Sequence, residues 1–400
     1  MKRGVFYMDR ILVAGAGYAG VFAAKELARH GIGVTVVNAK PYHQLTTWLH
    51  EAAGGRHPVD DYKIDLADLF YGLDVQVEVD EIHRVDWKQT RLVGRLGTYP
   101  YERAVIGLGS APEYFSITGL YEHSLPLKSL ESARVIRRHI ETQVRRYAKD
   151  GNVSRLTVVI GGGGLTGIEF AGELAEWLPK IGRTYHVDQR QFVIVCVEAM
   201  PDILPMLPPN QRSLARRELE RAGVQFKAGS AIVRVEDQAV YLASGETLCA
   251  GTIVWTGGVR ATPVLQASGL TCDHKGRARV DGTLQSVDDD RLWIVGDCAR
   301  LDRAGKPLPP TAQLATQMGR HAAINLMRVL NGEGQELFVP KIYGTLASLG
   351  HSRGVGDLAG VRTSGRLAGV FKELTKVRYL LQLGGMRMVN RKRRLRTLQV

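Results

Sequence analysis

Two stretches of this 400-residue chain have the residue types and spacing to hold a phosphate: Gly15-Ala16-Gly17-Tyr18-Ala19-Gly20 and Gly162-Gly163-Gly164-Leu165-Thr166-Gly167, both G-x-G-x-x-G. In such a loop the first glycine permits a tight turn and the second lets backbone approach a pyrophosphate. The third lets the following helix pack against its strand. The helix N-terminus then faces the phosphate charge. One such loop is a weak signal, but two, each between a strand-like and a helix-like run, point to two dinucleotides. Only the second carries a carboxylate, Glu169, just behind its last glycine. The plainest role for Glu169 is to complement the helix dipole, worth about 0.3–1 kcal/mol. The sharper role is to orient a bound group or to handle a proton.

A carboxylate at the end of the second strand of such a unit accepts hydrogen bonds from ribose hydroxyls. Glu198 stands there in the second unit and would repel a 2′-phosphate, which favours NADH over NADPH; the first unit has the uncharged Asn38. Gln313 and Gln317 fall one helical turn apart in "PPTAQLATQ". There is no catalytic serine, no metal-ligand spacing and no C-x-x-C, and Cys298 behind Asp297 reads as a small buried side chain. The hard chemistry is therefore left to a cofactor.

Strand and helix patterns place these residues. "RILVA", "VFAAKELARHG" and "GVTVVN" form one strand–helix–strand unit around the first loop. "LTVVIGGGG", a helix from Thr166 to about Leu178, and "QFVIVCVEA" form another. A meander is expected over residues 224–255, a strand ending on Asp297 in "RLWIVGDCA", and a long helix over 311–330. The fold class is α/β, with two Rossmann-like domains, one inserted in the other. The expected boundaries are 9–115 and 256–330 for the first domain, 116–255 for the second, and 331–400 for a C-terminal segment. Four scattered cysteines indicate a reducing compartment, and no run approaches the roughly 20 apolar residues of a membrane span. The apolar N-terminus, interrupted by Asp9 and Arg10, reads as a first strand rather than an export signal, with Met8 a second candidate start.

The order of "GAGYAG", "YHQLTTWLHEAAGG", "VIGLGSAP", "GGGGLTGIEFAGELAE", "VWTGGVR", "WIVGDCA" and "PPTAQLATQMG" resembles that of type II NADH:quinone oxidoreductases, the single-subunit, non-pumping respiratory NADH dehydrogenases. The resemblance implies tightly bound FAD at the first loop, NADH at the second and a membrane quinone as acceptor. It implies that Gly15, Ala16, Gly17, Tyr18, Ala19 and Gly20 face the FAD pyrophosphate, that Asn38 and Ala39 flank its ribose and that Ile82 lies against adenine. Thr47, Gly109, Ser110, Asp297, Ala312, Gln313 and Lys372 complete the FAD set. Gly162, Gly164, Leu165, Thr166, Gly167, Glu198, Gly257 and Gly258 make the NADH set, and Glu169, Gln313, Gln317 and Lys372 stand as the residues at the chemistry. Departures are Asn38 for the commoner carboxylate, Met318 after Gln317, and a longer, more basic tail.

That tail holds thirteen lysines and arginines against Asp357 and Glu373 within residues 341–400, nearly all of the chain's net +13. Leu367, Val370, Phe371, Leu374, Val377 and Leu381 recur at helical spacing, and Arg366, Lys372, Lys376 and the cluster Arg391 to Arg396 supply the charge. This reads as an interfacial helix on an anionic membrane surface, placing the protein peripherally on the cytoplasmic face, with a homodimer left open. The bland alternative is a helix docked by its apolar stripe. A nucleic-acid tail is disfavoured by sparse aromatics. Sulfide:quinone oxidoreductase, another quinone- or ferredoxin-linked flavoprotein reductase, and a flavin-bearing redox sensor are the rival readings. The first of these needs cysteines converging at the flavin.

Overall fold

The computed structural model describes residues 11–358 and 360–393. Met8, Arg394 and Arg396 lie outside the described residues. Along the chain run β1 (Ile11–Ala14), α1 (Tyr18–Arg29), β2 (Val34–Asn38), α2 (Leu49–Ala53), β3 (Val75–Val79) and β4 (Arg103–Ile106). There follow α3 (Leu130–Asp150), β5 (Thr157–Gly161), α4 (Leu165–Tyr185), β6 (Val193–Glu198), β7 (Val224–Ala228) and β8 (Thr252–Trp255). The chain continues with β9 (Leu292–Ile294), α5 (Ala312–Leu330), β10 (Gly344–Ser348), β11 (Gly354–Leu358), β12 (Val361–Ser364) and α6 (Gly365–Arg391).

Two compact units result. The first contains the described residues through Gln44, Ile64–Ala111 and Val259–Ile342. Its parallel sheet has the order β9–β4–β1–β2–β3, with Ile11 opposite both Val34 and Arg103. β1, β4 and β9 are apolar throughout or nearly so, as strands covered on both faces must be, and Val13, Val36, Ile106 and Trp293 are fully buried. α1 packs on α5, so closely that a side chain at Gly319 would collide with the Ala19 carbonyl.

The second unit contains Leu45–Lys63, Pro112–Gly258 and the described residues from Tyr343. Its parallel sheet repeats the first, in the order β8–β5–β6–β7, with Leu125–Pro126 added at the β8 edge. The expected meander over 224–255 is thus corrected. Its ends, β7 and β8, join the parallel sheet, and only Ile232–Glu236, Ala239–Leu242 and Thr247–Cys249 pair antiparallel. The strand in "RLWIVGDCA" stops at Ile294, and Gly296–Cys298 form a 3-10 turn because Gly296 takes φ +73. α4 runs on to Tyr185 despite Pro179, and α3 starts on a Ser129–Ser132 capping box and ends on left-handed Gly151.

Residues 45–63, which the sequence boundaries put in the first domain, group with the second unit, as does the C-terminal segment from Tyr343 onward, while its first residues, 331–342, stay with the first unit. That segment opens with an antiparallel sheet, β10–β11–β12, which the sequence reading did not anticipate. α6 packs on it and bends at Gly384–Gly385, where left-handed Gly385 (φ +62) breaks the helical geometry.

Candidate functional site

The two glycine loops are built alike. Gly15 and Gly162 take φ +91 and +110, the left-handed region that favours glycine, and lead from β1 and β5 into α1 and α4. A side chain at Gly20 or Gly167 would collide with the carbonyl of the first glycine of its own loop. A side chain at Gly17 or Gly164 would meet nothing within 4 Å, and neither helix start has a side-chain cap. Each loop is therefore an open cradle in front of orphaned helix N–H groups, the arrangement a pyrophosphate needs. A matching tie closes each one. Asn38 Oδ1 accepts from Ala16 N (2.8 Å), and Glu198 Oε2 accepts from Gly163 N (2.6 Å). Asn38 Nδ2 also donates to Lys40 O, and Glu198 Oε1 accepts from Met200 N (2.8 Å). Each side chain keeps hydrogen-bonding capacity for a ribose, since an amide oxygen and each carboxylate oxygen accept twice.

In the first unit Tyr18 and Ala19 are buried at the start of α1, His43 Nδ1 faces the Ala16 carbonyl at 2.8 Å, and Ala39 is exposed beyond β2. Ile82 is buried. Ser110 Oγ donates to Asp297 Oδ2 (2.6 Å), and Gly109 precedes it in a left-handed turn (φ +74). Asp297, Thr311 and Ala315 line one pocket at the start of α5, where Ala312 and Gln313 are half-buried. Gln317 is engaged on both sides of its amide. Nε2 donates to Lys341 O (2.8 Å), and Oε1 accepts from Lys341 N (2.9 Å). It splints the chain after α5 in a way that helical spacing alone does not suggest.

In the second unit Leu165 and Thr166 begin α4, and Gly257 and Gly258 follow β8, with Gly257 packed tightly against Gly162. Thr47 is exposed on the turn Thr46–Trp48. Glu169 is buried, and its Oε1 accepts from Lys372 Nζ (2.6 Å), Ser348 N (3.0 Å) and Ser348 Oγ (3.3 Å). His50 Nδ1 lies 3.4 Å from Glu169 Oε2, and His50 Nε2 lies 3.3 Å from Ser348 Oγ. Beyond His50 the ions continue. Lys376 donates to Glu51 and to Glu373 (2.7 Å), and Arg56 donates to Glu173 through Nε (2.9 Å) and NH2 while its NH1 lies 3.5 Å from Glu51.

Burial opposes charge at Glu169, but His50 and Lys372 outweigh it and hold the carboxyl below its usual range. Burial likewise works against Glu51, which Lys376 and Arg56 nevertheless bring down to about 2. Burial lowers His50 from its ordinary range in spite of Glu169, Glu51 and Glu173 around it. Lys376 is desolvated, yet Glu51 and Glu373 raise it. Such a cluster keeps a fixed carboxylate beside a fixed ammonium in a nearly dry setting, where electrostatic steering is strongest.

Of this cluster the sequence assigns a role only to Glu169, Lys372 and Lys376. His50, Glu51, Arg56, Glu173, Ser348 and Glu373 were missed. The one available signal was Glu169 and Glu173 at i, i+4 on a helix whose other inward residues are apolar. The assignment of Lys376 to lipid headgroups is corrected: it points inward, because α6 turns a charged face to the protein. Lys392 is also turned inward, donating to the carbonyls of Asp61 (2.8 Å) and Lys63 (2.5 Å). Arg366, Arg378, Arg387, Arg391 and Arg393 are exposed. The outward face of α6 is apolar at Leu367, Val370, Leu374 and Leu381, which are 36–58% exposed, with Phe371 and Val377 half-buried. Four of the six residues of that stripe therefore face away from this chain. No helix among the described residues is long and apolar enough to cross a membrane.

The four cysteines are free, and Cys196 and Cys298 are buried, their thiols pushed up to about 12 and about 11 by desolvation. Neither is poised as a nucleophile.

The family model described as pyridine nucleotide-disulphide oxidoreductase matches residues 9–319. A curated protein of Staphylococcus epidermidis named type II NADH:quinone oxidoreductase is 36% identical over 403 residues, 96% of this chain and 98% of that one. A Staphylococcus aureus protein of the same name is 34% identical with the same coverage. Among solved structures, NDH2 of Plasmodium falciparum in complex with NADH superposes with TM-score 0.85 at 16% identity, covering 96% of this chain and 97% of that one. The sulfide:quinone oxidoreductase of Aquifex aeolicus does so with TM-score 0.78 at 17% identity, covering 96% and 92%. These two share the fold.

Proposed function

The chain belongs to the pyridine nucleotide-disulphide oxidoreductase family, and within it to the type II NADH:quinone oxidoreductases, and from that premise we propose how its residues divide the work. It oxidises NADH and reduces a quinone, with FAD as its cofactor. When bound, FAD supplies the two-electron chemistry that joins the two substrates.

The first cradle, Gly15 to Gly20 with the α1 N-terminus, holds the FAD pyrophosphate. Asn38 and Ala39 meet its ribose, Ile82 its adenine, and Gly109, Ser110, Asp297, Ala312 and Gln313 its remaining length. The second cradle, Gly162, Gly164, Leu165, Thr166 and Gly167, holds the NADH pyrophosphate, with Glu198 on the ribose hydroxyls and Gly257 and Gly258 bordering the loop. Glu169 orients the nicotinamide end or exchanges a proton there, and Lys372 acts with it as one ion pair. Gln317 acts through Lys341, positioning the chain beside the start of α5, where Gln313 meets quinone.

The outward apolar face of α6, flanked by exposed arginines, supports peripheral seating on an anionic membrane surface; we place that surface on the cytoplasmic side.

The observation that carries this reading is the repeated open cradle, tied in one unit by Asn38 and in the other by Glu198. Two cradles demand two dinucleotides. The test is a pair of assays on purified protein. NADH should be consumed when quinone is added, with about one FAD per chain, and sulfide should not replace NADH. Sulfide-driven quinone reduction, or a colourless folded protein, would sink it.

A further inference from the structure

Phe115 and Ser116 are adjacent residues that both take left-handed backbone, with φ +50 and +55. For a bulky phenylalanine that conformation is unfavourable, and it persists only where the surroundings over-determine it. They do so here. Glu113 N donates to Gly258 O (3.0 Å), Trp255 Nε1 to Glu113 O (2.8 Å), Phe115 N to Glu113 Oε1 (3.1 Å) and Ile117 N to Tyr114 O (3.0 Å). Tyr114 and Ile117, on either side of the turn, pack against the buried core of the second unit. The turn does not bury its own aromatic ring. Phe115 is 53% exposed, edge-on to Trp255 with ring centroids 6.4 Å apart. Strain that holds an apolar ring half in water serves no packing purpose and points to a ligand.

The strand order says which ligand. In the second sheet β6 and β8 lie on opposite flanks of β5. The glycine loop after β5 takes the pyrophosphate, and Glu198 at the end of β6 takes the adenosine ribose. The other half of the dinucleotide therefore runs the opposite way, over the end of β8. That end is Thr256-Gly257-Gly258. Thr256 Oγ1 lies 3.0 Å from Gly161 O and 3.1 Å from Gly162 O, and a side chain at Gly162 would meet Gly257 Cα at 2.6 Å. The turn thus lies directly against the cradle. Its two glycines answer a need for space: a side chain at Gly257 would collide with the Trp255 ring, and one at Gly258 would press on the Phe115 ring at 3.0 Å. Beyond the two glycines stands Phe115.

We propose that Phe115 is a binding residue for the nicotinamide half of NADH, its ring being the apolar wall on which the nicotinamide and its ribose rest after they leave the second cradle. The strained turn at 115–116 fixes that wall before the substrate arrives. A ring already in place loses little freedom on binding, and the apolar surface it buries against the substrate adds affinity. Phe115 takes no part in the pyrophosphate or adenosine contacts, so it separates the whole dinucleotide from fragments that lack nicotinamide. The inference rests on the proposed placing of NADH at the second cradle.

The test uses full-length protein with its FAD, as wild type, Phe115→Gly, Phe115→Tyr and Glu198→Gln. Glycine removes the ring and accepts left-handed backbone without strain, and tyrosine keeps the ring. In anaerobic stopped flow, the NADH concentration that half-saturates flavin reduction should rise about tenfold in F115G and stay within about twofold of wild type in F115Y. ADP-ribose, which lacks the nicotinamide, should compete with NADH equally well in wild type, F115G and F115Y, and less well in E198Q. A para-fluorophenylalanine placed at position 115 should shift its fluorine resonance when NAD⁺ is added and not when ADP-ribose is added. An unmoved half-saturation in F115G, or an equal loss of ADP-ribose affinity, overturns the proposal. Should F115G not fold, the fluorine resonance decides alone, and an identical response to both ligands overturns the proposal. ADP-ribose that neither competes with NADH nor responds to E198Q would overturn the placing of NADH as well. A responsive E198Q beside an unresponsive F115G would overturn the role of Phe115 only.

Discussion

Lys372 donates to Glu169 at 2.6 Å, although 203 residues separate them in the chain. One comes from the second turn of α6, the other from the start of α4, and Ser348 at the end of β10 holds the same carboxylate oxygen. The pair turns a glutamate one turn into α4 into a fixed, compensated charge. Replacing Lys372 with Gln should remove a charge-assisted hydrogen bond worth about 1.5–3 kcal/mol and push the Glu169 carboxyl upward. We expect the slower half-reaction to fall about tenfold to a hundredfold, with a pH profile displaced to higher pH. Stopped-flow measurement of both half-reactions across pH checks this, and an unmoved profile would show that the pair only packs.

Lys376 tests the structural side of the same cluster. Lys376→Ala leaves Glu51 and Glu373 buried with less compensation, for which a cost of about 3–5 kcal/mol is expected. The measured quantity is the unfolding free energy in denaturant. A loss under 1 kcal/mol would mean that water already screens the site.

His43 is expected to contribute to the acid sensitivity of the first unit. Burial lowers it to about 4 while the Ala16 carbonyl pulls the other way. Its folded value is depressed below the ordinary value near 6.5, so its stability contribution is full above about pH 6.5 and is lost as pH falls toward about 4. The ceiling of that loss is about 3 kcal/mol. Because His43 touches the first glycine loop, FAD should dissociate more readily at pH 5 than at pH 7. His43→Gln should flatten the pH dependence of flavin release. An equally steep curve in the variant would place the titrating group elsewhere.

Glu198 combines two tasks, closing the second loop and meeting the ribose. Glu198→Gln keeps an acceptor for Gly163 N while removing the charge that repels a 2′-phosphate. The NADH-over-NADPH preference should narrow by about 1–3 kcal/mol. Ratios of kcat/KM for the two nucleotides decide, and an unchanged ratio would remove Glu198 from the ribose site.

Some of this was legible in the sequence and some was not, for physical reasons. The glycine loops, Glu198 and Glu169 announce themselves because the turn, the helix start and the strand end that they need are local in the chain. His50 and Glu51 do not. In "LHEAAGG" they read as two polar residues of a short helix, and only β10, α4 and α6 packed around them give them partners. The tail shows the same limit. Leu367, Val370, Leu374 and Leu381 were read as an outward stripe, and they are exposed. Lys376 reads as facing outward, because charge suggests solvent until a buried carboxylate is seen opposite, whereas the family resemblance alone turns Lys372 inward. The sheet β10–β12 stayed hidden in a stretch with glycines at 344, 350, 354, 356, 360 and 365, which carries little alternation.

The outward stripe of α6 yields its own prediction. Leu374→Asp, at a half-exposed position, should change stability by no more than about 0.5 kcal/mol. It should nonetheless weaken co-sedimentation with anionic vesicles. Unaltered binding at every salt concentration would remove this face from the membrane contact.

The central claim is that one bound FAD takes electrons from NADH and yields them to quinone. The most direct measurement follows the flavin absorbance of purified protein in an anaerobic stopped-flow instrument, first with NADH and then with quinone. The account predicts bleaching within one turnover of NADH and full recovery on quinone, at rates compatible with steady-state turnover. Flavin that stays oxidised with NADH, or that bleaches and is not restored by quinone, would contradict it.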